Sequence, residues 1–431
     1  MRKRMMWAAI ALTMVATSAV TGCSSDNDGS YEEPKPVIDP VEPPTTLELT
    51  RGEQEMVNQS NEFAFRLFRE ARDEVASQIL SPISITYALG MLNNGAAGET
   101  LAQINQVLGF SDSGADGINA FCYKMLNLAP TLDEQTKVMI ANTIYMNKPY
   151  VLKAGFVEKA KTFYNAEPET RDFHDGETMH VINKWAADHT EQMIKEVLNE
   201  DTFNPDAVSY LLNAIYFKGC WTSKFDKAET QDEEFRYAGE PEALVRIPMM
   251  HQTASFEFAE TDDCLALRLP YGNRSFQMTV LLPKAETNAL PKVPTAEEWQ
   301  RLNQQFVNAK VDVKLPRFET NTDIDLKDIM SKLGMPNAFD DGRADFSNFC
   351  DVPTFIELMK QVAKIKLDEE GTEAAAVTVV GVLDSAVFDP EHIEPIIFHA
   401  NHPFLYVISE QKTGAIFFIG QFTGHITGRD S

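Results

Sequence analysis

Apolar residues recur along this chain with two different periods, and the dominant period changes near residue 200. The folded part starts near residue 53, where Val57, Ala64, Leu67, Phe68 and Ala71 take helical spacing behind Ser60, the candidate N-cap. A second helix opens at Ser81 and Pro82, because proline suits a first helical turn. Strand-like runs lie at 138–146, 208–217, 276–282, 311–315, 365–367, 404–408 and 415–419. Helical stretches concentrate early and strands late, so the expected class is α+β and not alternating βαβ units. No repeat or linker interrupts residues 53–428, and one domain spanning 51–428 is expected.

One run fits neither an ordinary strand nor an ordinary loop. From Thr372 the alternate positions Thr372, Ala374, Ala376, Thr378, Val380 and Val382 are uncharged, as one face of a β-strand requires. Yet Glu369, Glu370 and Gly371 precede it, and Asp389, Pro390, Glu391 and His392 follow, so both ends read as exposed. An exposed, β-prone, nearly uncharged run is an aggregation hazard. Two readings are open: a long hairpin loop backed by a hydrophobic strand, or a strand held outside a sheet and inserted after cleavage. Small residues at Ala374, Ala375 and Ala376 suit the second, because they let a backbone slip between two strands.

The chain has 431 residues and a formal charge of −26. That argues against nucleic acid, heparin-like polyanions or anionic lipid as partners, each of which needs a basic surface. Residues 1–22 join a basic start to a short apolar run ending in small residues, as a secretory signal does. Val20-Thr21-Gly22-Cys23 resembles the lipobox of bacterial lipoproteins, which implies lipidation at Cys23 and export to the outer membrane, facing the cell surface. Residues 23–50, rich in Ser, Asp and Pro, would form the tether. Cys122, Cys220, Cys264 and Cys350 have no close pair and are expected as buried free thiols. Motifs for hydrolase, zinc or dinucleotide chemistry are missing. His392, His399 and His402 make a local group, but 399 and 402 point to opposite faces of an extended chain, so no metal site and no cofactor are expected.

Glu369-Glu-Gly-Thr-Glu-Ala-Ala-Ala376 resembles the reactive-centre hinge of the serpins. The resemblance extends through Ser81-Pro-Ile-Ser-Ile, Asn93-Asn-Gly-Ala-Ala-Gly-Glu-Thr, Asn142-Thr-Ile-Tyr, Asn213-Ala-Ile-Tyr-Phe-Lys-Gly-Cys-Trp, Pro248-Met-Met, Leu315-Pro-Arg-Phe and Phe398-His-Ala-Asn-His-Pro-Phe-Leu-Tyr-Val-Ile408, all in family order. It implies helices packed around three β-sheets, with an exposed reactive-centre loop at 369–395. Ser81, Ser84 and Asn213 would form the shutter beneath the opening strands, and Trp221 the breach where insertion begins. At Gln361 the sequence departs from the family, which usually has histidine; glutamine donates and accepts but does not titrate near neutrality. The hinge would comprise Gly371, Thr372, Glu373, Ala374, Ala375 and Ala376.

Counting from Gly371 by the usual hinge length places the scissile bond at Ser385–Ala386, with Leu383, Asp384 and Phe388 as alternates. Counting back from Pro403 places it near His392, so the loop is longer than usual by roughly seven residues, a cheap insertion. The resemblance implies covalent trapping of a serine protease, or a cysteine protease, by a monomer. Small apolar residues suit elastase-like pockets, Leu383 or Phe388 chymotrypsin-like ones, and subtilisin-like enzymes also fit. No Lys or Arg lies between Glu369 and Pro390, which disfavours trypsin-like enzymes. The alternative is a non-inhibitory member acting as a substrate, binding protein or scaffold.

Overall fold

A computed structural model describes residues 44–110, 113–239, 243–372 and 394–425. All of them lie in a compact unit spanning 38–431. Eight α-helices are described: α1 (Arg51–Ala71), α2 (Pro82–Asn93), α3 (Gly98–Leu108), α4 (Gly114–Leu128), α5 (Ala154–Tyr164), α6 (Thr178–His189), α7 (Ala296–Asn303) and α8 (Lys327–Leu333). The described strands are β1 (Gln78–Leu80), β2 (Thr136–Asn147), β3 (Glu169–Arg171), β4 (Ser209–Cys220), β5 (Gln231–Arg236), β6 (Leu244–Glu260), β7 (Cys264–Tyr271), β8 (Phe276–Pro283), β9 (Val307–Pro316), β10 (Phe318–Asp325), β11 (Leu358–Asp368), β12 (Gly371–Thr372), β13 (Ile396–His399), β14 (Phe404–Glu410) and β15 (Ile416–Phe422). The fold is α+β, and each of the seven strand-like runs of the sequence coincides with a strand, with Val208 and Ala415 just outside β4 and β15.

The first helix begins earlier than its apolar face suggests. Its N-cap is Thr50, whose side chain accepts from the Glu53 amide while Glu53 reaches back to the Thr50 amide. This capping box satisfies two otherwise orphaned donors. Ser60, the candidate cap, is instead buried mid-helix beside Thr86. A Ser among apolar positions resembles a cap in one dimension; the stronger Thr50/Glu53 pair sits nearly three turns further back.

Strand pairing gives a six-stranded sheet, β10-β11-β12-β4-β2-β3, and a nine-stranded one, β1-β15-β14-β8-β7-β6-β9-β13 with β5 on β6. The expected second and third sheets share the 17-residue strand β6 and so run together through hydrogen bonds. Strands β14 and β15 are buried along their whole length, which is why they read as continuous apolar runs. Helix α2 is buried on every side. It packs between the six-stranded sheet and β15, and its N-terminus points polar groups at the middle of that sheet.

Candidate functional site

The site is the junction between β4 and β11. These strands pair in parallel from Leu358↔Tyr210 to Lys364↔Tyr216, inside a sheet whose neighbouring pairs β10/β11 and β2/β4 are antiparallel. Beyond Lys364 they part. The chain leaves β11, turns at Glu369 and Glu370, and returns as β12 into the gap, with Leu367↔Thr372 and Asp368↔Gly371 on one side and Gly371↔Cys220 and Thr372↔Gly219 on the other. Two hinge residues are therefore already strands of the sheet.

Close packing holds them there. Gly371 has φ +147°, and a Cβ on it would lie 2.1 Å from the Gly219 carbonyl oxygen. Only glycine fits such a backbone and such an approach. The Thr372 hydroxyl meets the Tyr271 hydroxyl at 2.8 Å, and Tyr271 stacks on Trp221 with ring centres 4.5 Å apart. Trp221 donates its indole N–H to the Asp368 carbonyl (3.0 Å) and its amide to the Glu370 carbonyl (2.8 Å). Burial pushes the Tyr271 phenol far above its usual range despite the Thr372 hydrogen bond, so it stays neutral.

The two carboxylates of the turn are pinned separately. Glu370 takes Lys224 at 2.8 Å and Lys227 at 3.1 Å, and the Lys224 hydrogen bond, with help from Lys227 and against burial, holds its carboxyl below the usual range. Glu369 is buried, accepts from the Thr230 hydroxyl at 2.7 Å and lies 3.4 Å from Arg317. None of Lys224, Lys227, Thr230 or Tyr271 stood out in the sequence, and Arg317 did so only within the Leu315-Pro-Arg-Phe motif. Their contacts with the turn span 52 to 146 residues where hydrogen-bonded, a separation at which no periodicity signals contact.

Lower in the same junction lies a polar row. Asn142, Asn213 and Gln361 sit in register on β2, β4 and β11. Gln361 Nε2 donates to Asn213 Oδ1 (2.7 Å) and to Ser84 Oγ (3.0 Å), and its Oε1 accepts from the Ser81 amide (3.0 Å). Ser84 Oγ lies 2.7 Å from Asn213 Oδ1, and Ser81 Oγ donates to the Phe417 carbonyl at 2.8 Å. Asn213 Nδ2 donates to Asn142 Oδ1 (2.8 Å), whereas the buried Asn142 Nδ2 has no partner. Ser81, Ser84, Asn213 and Gln361 are thus brought together, and Trp221 lies at the upper end of the junction. Gln361 donates twice and accepts once, whereas a neutral imidazole has a single N–H to donate. The cluster binds α2 to both strands exactly where they must part if anything longer than β12 is to enter.

The other residues singled out in the sequence are placed as follows. Gly371 and Thr372 are described; Glu373, Ala374, Ala375, Ala376, Leu383, Asp384, Ser385, Ala386, Phe388, His392 and Cys23 lie outside the described residues. All four described cysteines are free, but only Cys122 and Cys350 are fully buried. Burial pushes the Cys122 thiol up to about 12, and raises Cys220 and Cys264 as well. His399 and His402 do face apart: His399 meets Asp312, while His402 is buried against the Pro283 carbonyl. Among the described residues no group of three or more His, Cys, Asp or Glu is arranged to hold a metal.

Comparison with known proteins agrees with this geometry. The family model "Serpin (serine protease inhibitor)" matches residues 58–424. Serpin B6 of Macaca fascicularis is 33% identical over 371 residues, covering 84% of this chain and 97% of its own. The native thermophilic serpin tengpin superposes with a TM-score of 0.78 at 25% identity, covering 89% of this chain and 97% of its own. Human thyroxine-binding globulin, complexed with thyroxine, superposes with a TM-score of 0.76 at 25% identity, over 86% and 98%. With Gly371 and Thr372 seated between β4 and β11, and the family model spanning most of the chain, the protein belongs to the serpins, a family of generally inhibitory and non-catalytic proteins.

Proposed function

We propose that this protein is a suicide-substrate inhibitor of serine proteases, with cysteine proteases as secondary targets, held at a bacterial cell surface by lipid on Cys23. The protease serine attacks the Ser385 carbonyl, the Ser385–Ala386 bond breaks, and the Ala386 amine leaves with a proton from the protease histidine. The remaining ester links the enzyme to Ser385. The freed hinge then extends β12 down the β4/β11 junction and carries the enzyme with it. Triad atoms need placement within a fraction of an ångström, so displacement stops ester hydrolysis.

The observation that carries this reading is the pairing of Gly371 and Thr372 on both sides. An incoming strand antiparallel to β4 and β11 replaces one parallel ladder with two antiparallel ones, the more stable arrangement per residue. Elastase-like, chymotrypsin-like and subtilisin-like enzymes fit the residues at 382–388. A second reading, a binding or scaffold member whose cleaved loop never inserts, draws support from the likeness to thyroxine-binding globulin.

The test mixes the chain lacking residues 1–23 with an elastase, a chymotrypsin and a subtilisin, followed by denaturing gels and mass spectrometry. Trapping gives a denaturant-resistant complex and a released peptide starting at Ala386. Cleavage with no complex and no gain in thermal stability would sink the inhibitor in favour of the second reading.

A further inference from the structure

Strand β13, which follows the loop, is thinly attached. It ends the nine-stranded sheet and pairs only with β9, over Ile396–His399. The pairing is parallel, with slanted hydrogen bonds, and Ile396 and Ile397 are exposed. Phe398 is its one fully buried side chain. A strand held so lightly needs another fastening.

The fastening lies on the outer face. His251 of β6 and His399 of β13 both stand opposite Lys314 of β9, one from each side. Asp312, two residues along β9, shares their face. Its Oδ1 receives both imidazoles, His251 Nε2 at 2.9 Å and His399 Nε2 at 3.3 Å. One carboxylate oxygen thereby joins three strands. Burial acts to raise the Asp312 carboxyl, but the hydrogen bonds from His399 and His251 outweigh it and hold it below its usual range. The charged groups beside Asp312 on the same face of β9 are Lys314, bound to Glu233 of β5 at 2.6 Å, and Lys310.

We propose that His251, Asp312 and His399 form a clamp that retains β13 on the sheet. Both imidazoles reach the same carboxylate oxygen through Nε2, and a hydrogen bond to a charged acceptor is stronger than one between neutral groups. The clamp joins β13 to β6 as well as to β9. It governs how firmly the far end of the loop is anchored, whether or not the loop traps a protease.

Hydrogen exchange of the full chain and its variants tests this without any protease. Asp312→Ala and His399→Ala should each lower protection of the β13 amides about tenfold, with β14 as the internal control, whereas His399→Gln, which keeps a donor, should retain most of it; His251→Ala serves if either fails to fold. Protection of β13 in the folded alanine variants equal to the parent, or a loss in His399→Gln as large as in His399→Ala, would overturn the clamp.

Discussion

At Gly371 a Cβ would collide with the Gly219 backbone, so Gly371→Ala must either strain the turn or expel β12. A side chain in that backbone region costs about 1–3 kcal/mol. The expected result is loss of exchange protection at Thr372, and a protease cleaved free where the parent stays attached. Lys224 and Glu370 make a second residue-scale prediction. Removing the amine in Lys224→Met leaves a half-buried carboxylate with Lys227 alone, at a cost of about 1–2 kcal/mol in chemical denaturation at pH 7. The folded carboxyl lies below its ordinary value, so its contribution is complete at neutrality and fades as pH falls through the acid range. The difference between parent and variant should therefore shrink by pH 3. The hinge glycine is legible in the sequence through its motif; Lys224 is not, because only folding brings it to Glu370.

Among the elements, β12 is the one whose register predicts more than its two residues. Continuing the pairings Leu367↔Thr372 and Gly219↔Thr372 places residue 378 opposite both Gln361 and Asn213. Thr378 would then divide the Gln361–Asn213 pair, offering a hydroxyl that can donate to one amide and accept from the other. The same continuation puts Ala374, Ala376, Val380 and Val382 on the buried face with Thr372, which accounts for their uncharged alternation. Glu373 would take the outer face between Lys366 and Lys218, so the charge that looked suited to solvent also has partners there. Thr378→Arg should convert a trapped complex into turnover of cleaved chain, read as product accumulation over time. Trapping by Thr378→Arg equal to the parent would refute this register. Helix α1 shows the converse lesson: its apolar face is plain in the sequence, but Ser60 competes as a cap until burial places it in the helix interior.

For the whole molecule the proposed inhibition makes the parallel β4/β11 junction its reservoir. If cleavage drives insertion, loop-cut protein should melt at least about 10 °C higher than intact protein, since each added kcal/mol moves the midpoint of a large domain by a few degrees or less. A calorimetric scan of chain nicked at the loop checks this, and an unchanged midpoint would leave the junction closed for good. The four free thiols should not alter this comparison, because no disulfide joins them in the described structure.

Local order determined much of this protein. Alternation and apolar runs marked the seven strands, and short motifs marked the hinge, Ser81, Ser84, Asn213 and Trp221, because those features depend on residues close together in the chain. Gln361 could be flagged from sequence as unusual, but its bonds to Ser81, Ser84 and Asn213 come from three separate elements. The Lys224–Glu370 and Arg317–Glu369 contacts, the parallel seam with two hinge residues already inside, and the convergence of His251 and His399 on Asp312 were decided by tertiary structure alone. Each joins residues brought together only by strand order and register, which many distant contacts fix jointly and no single stretch of sequence encodes.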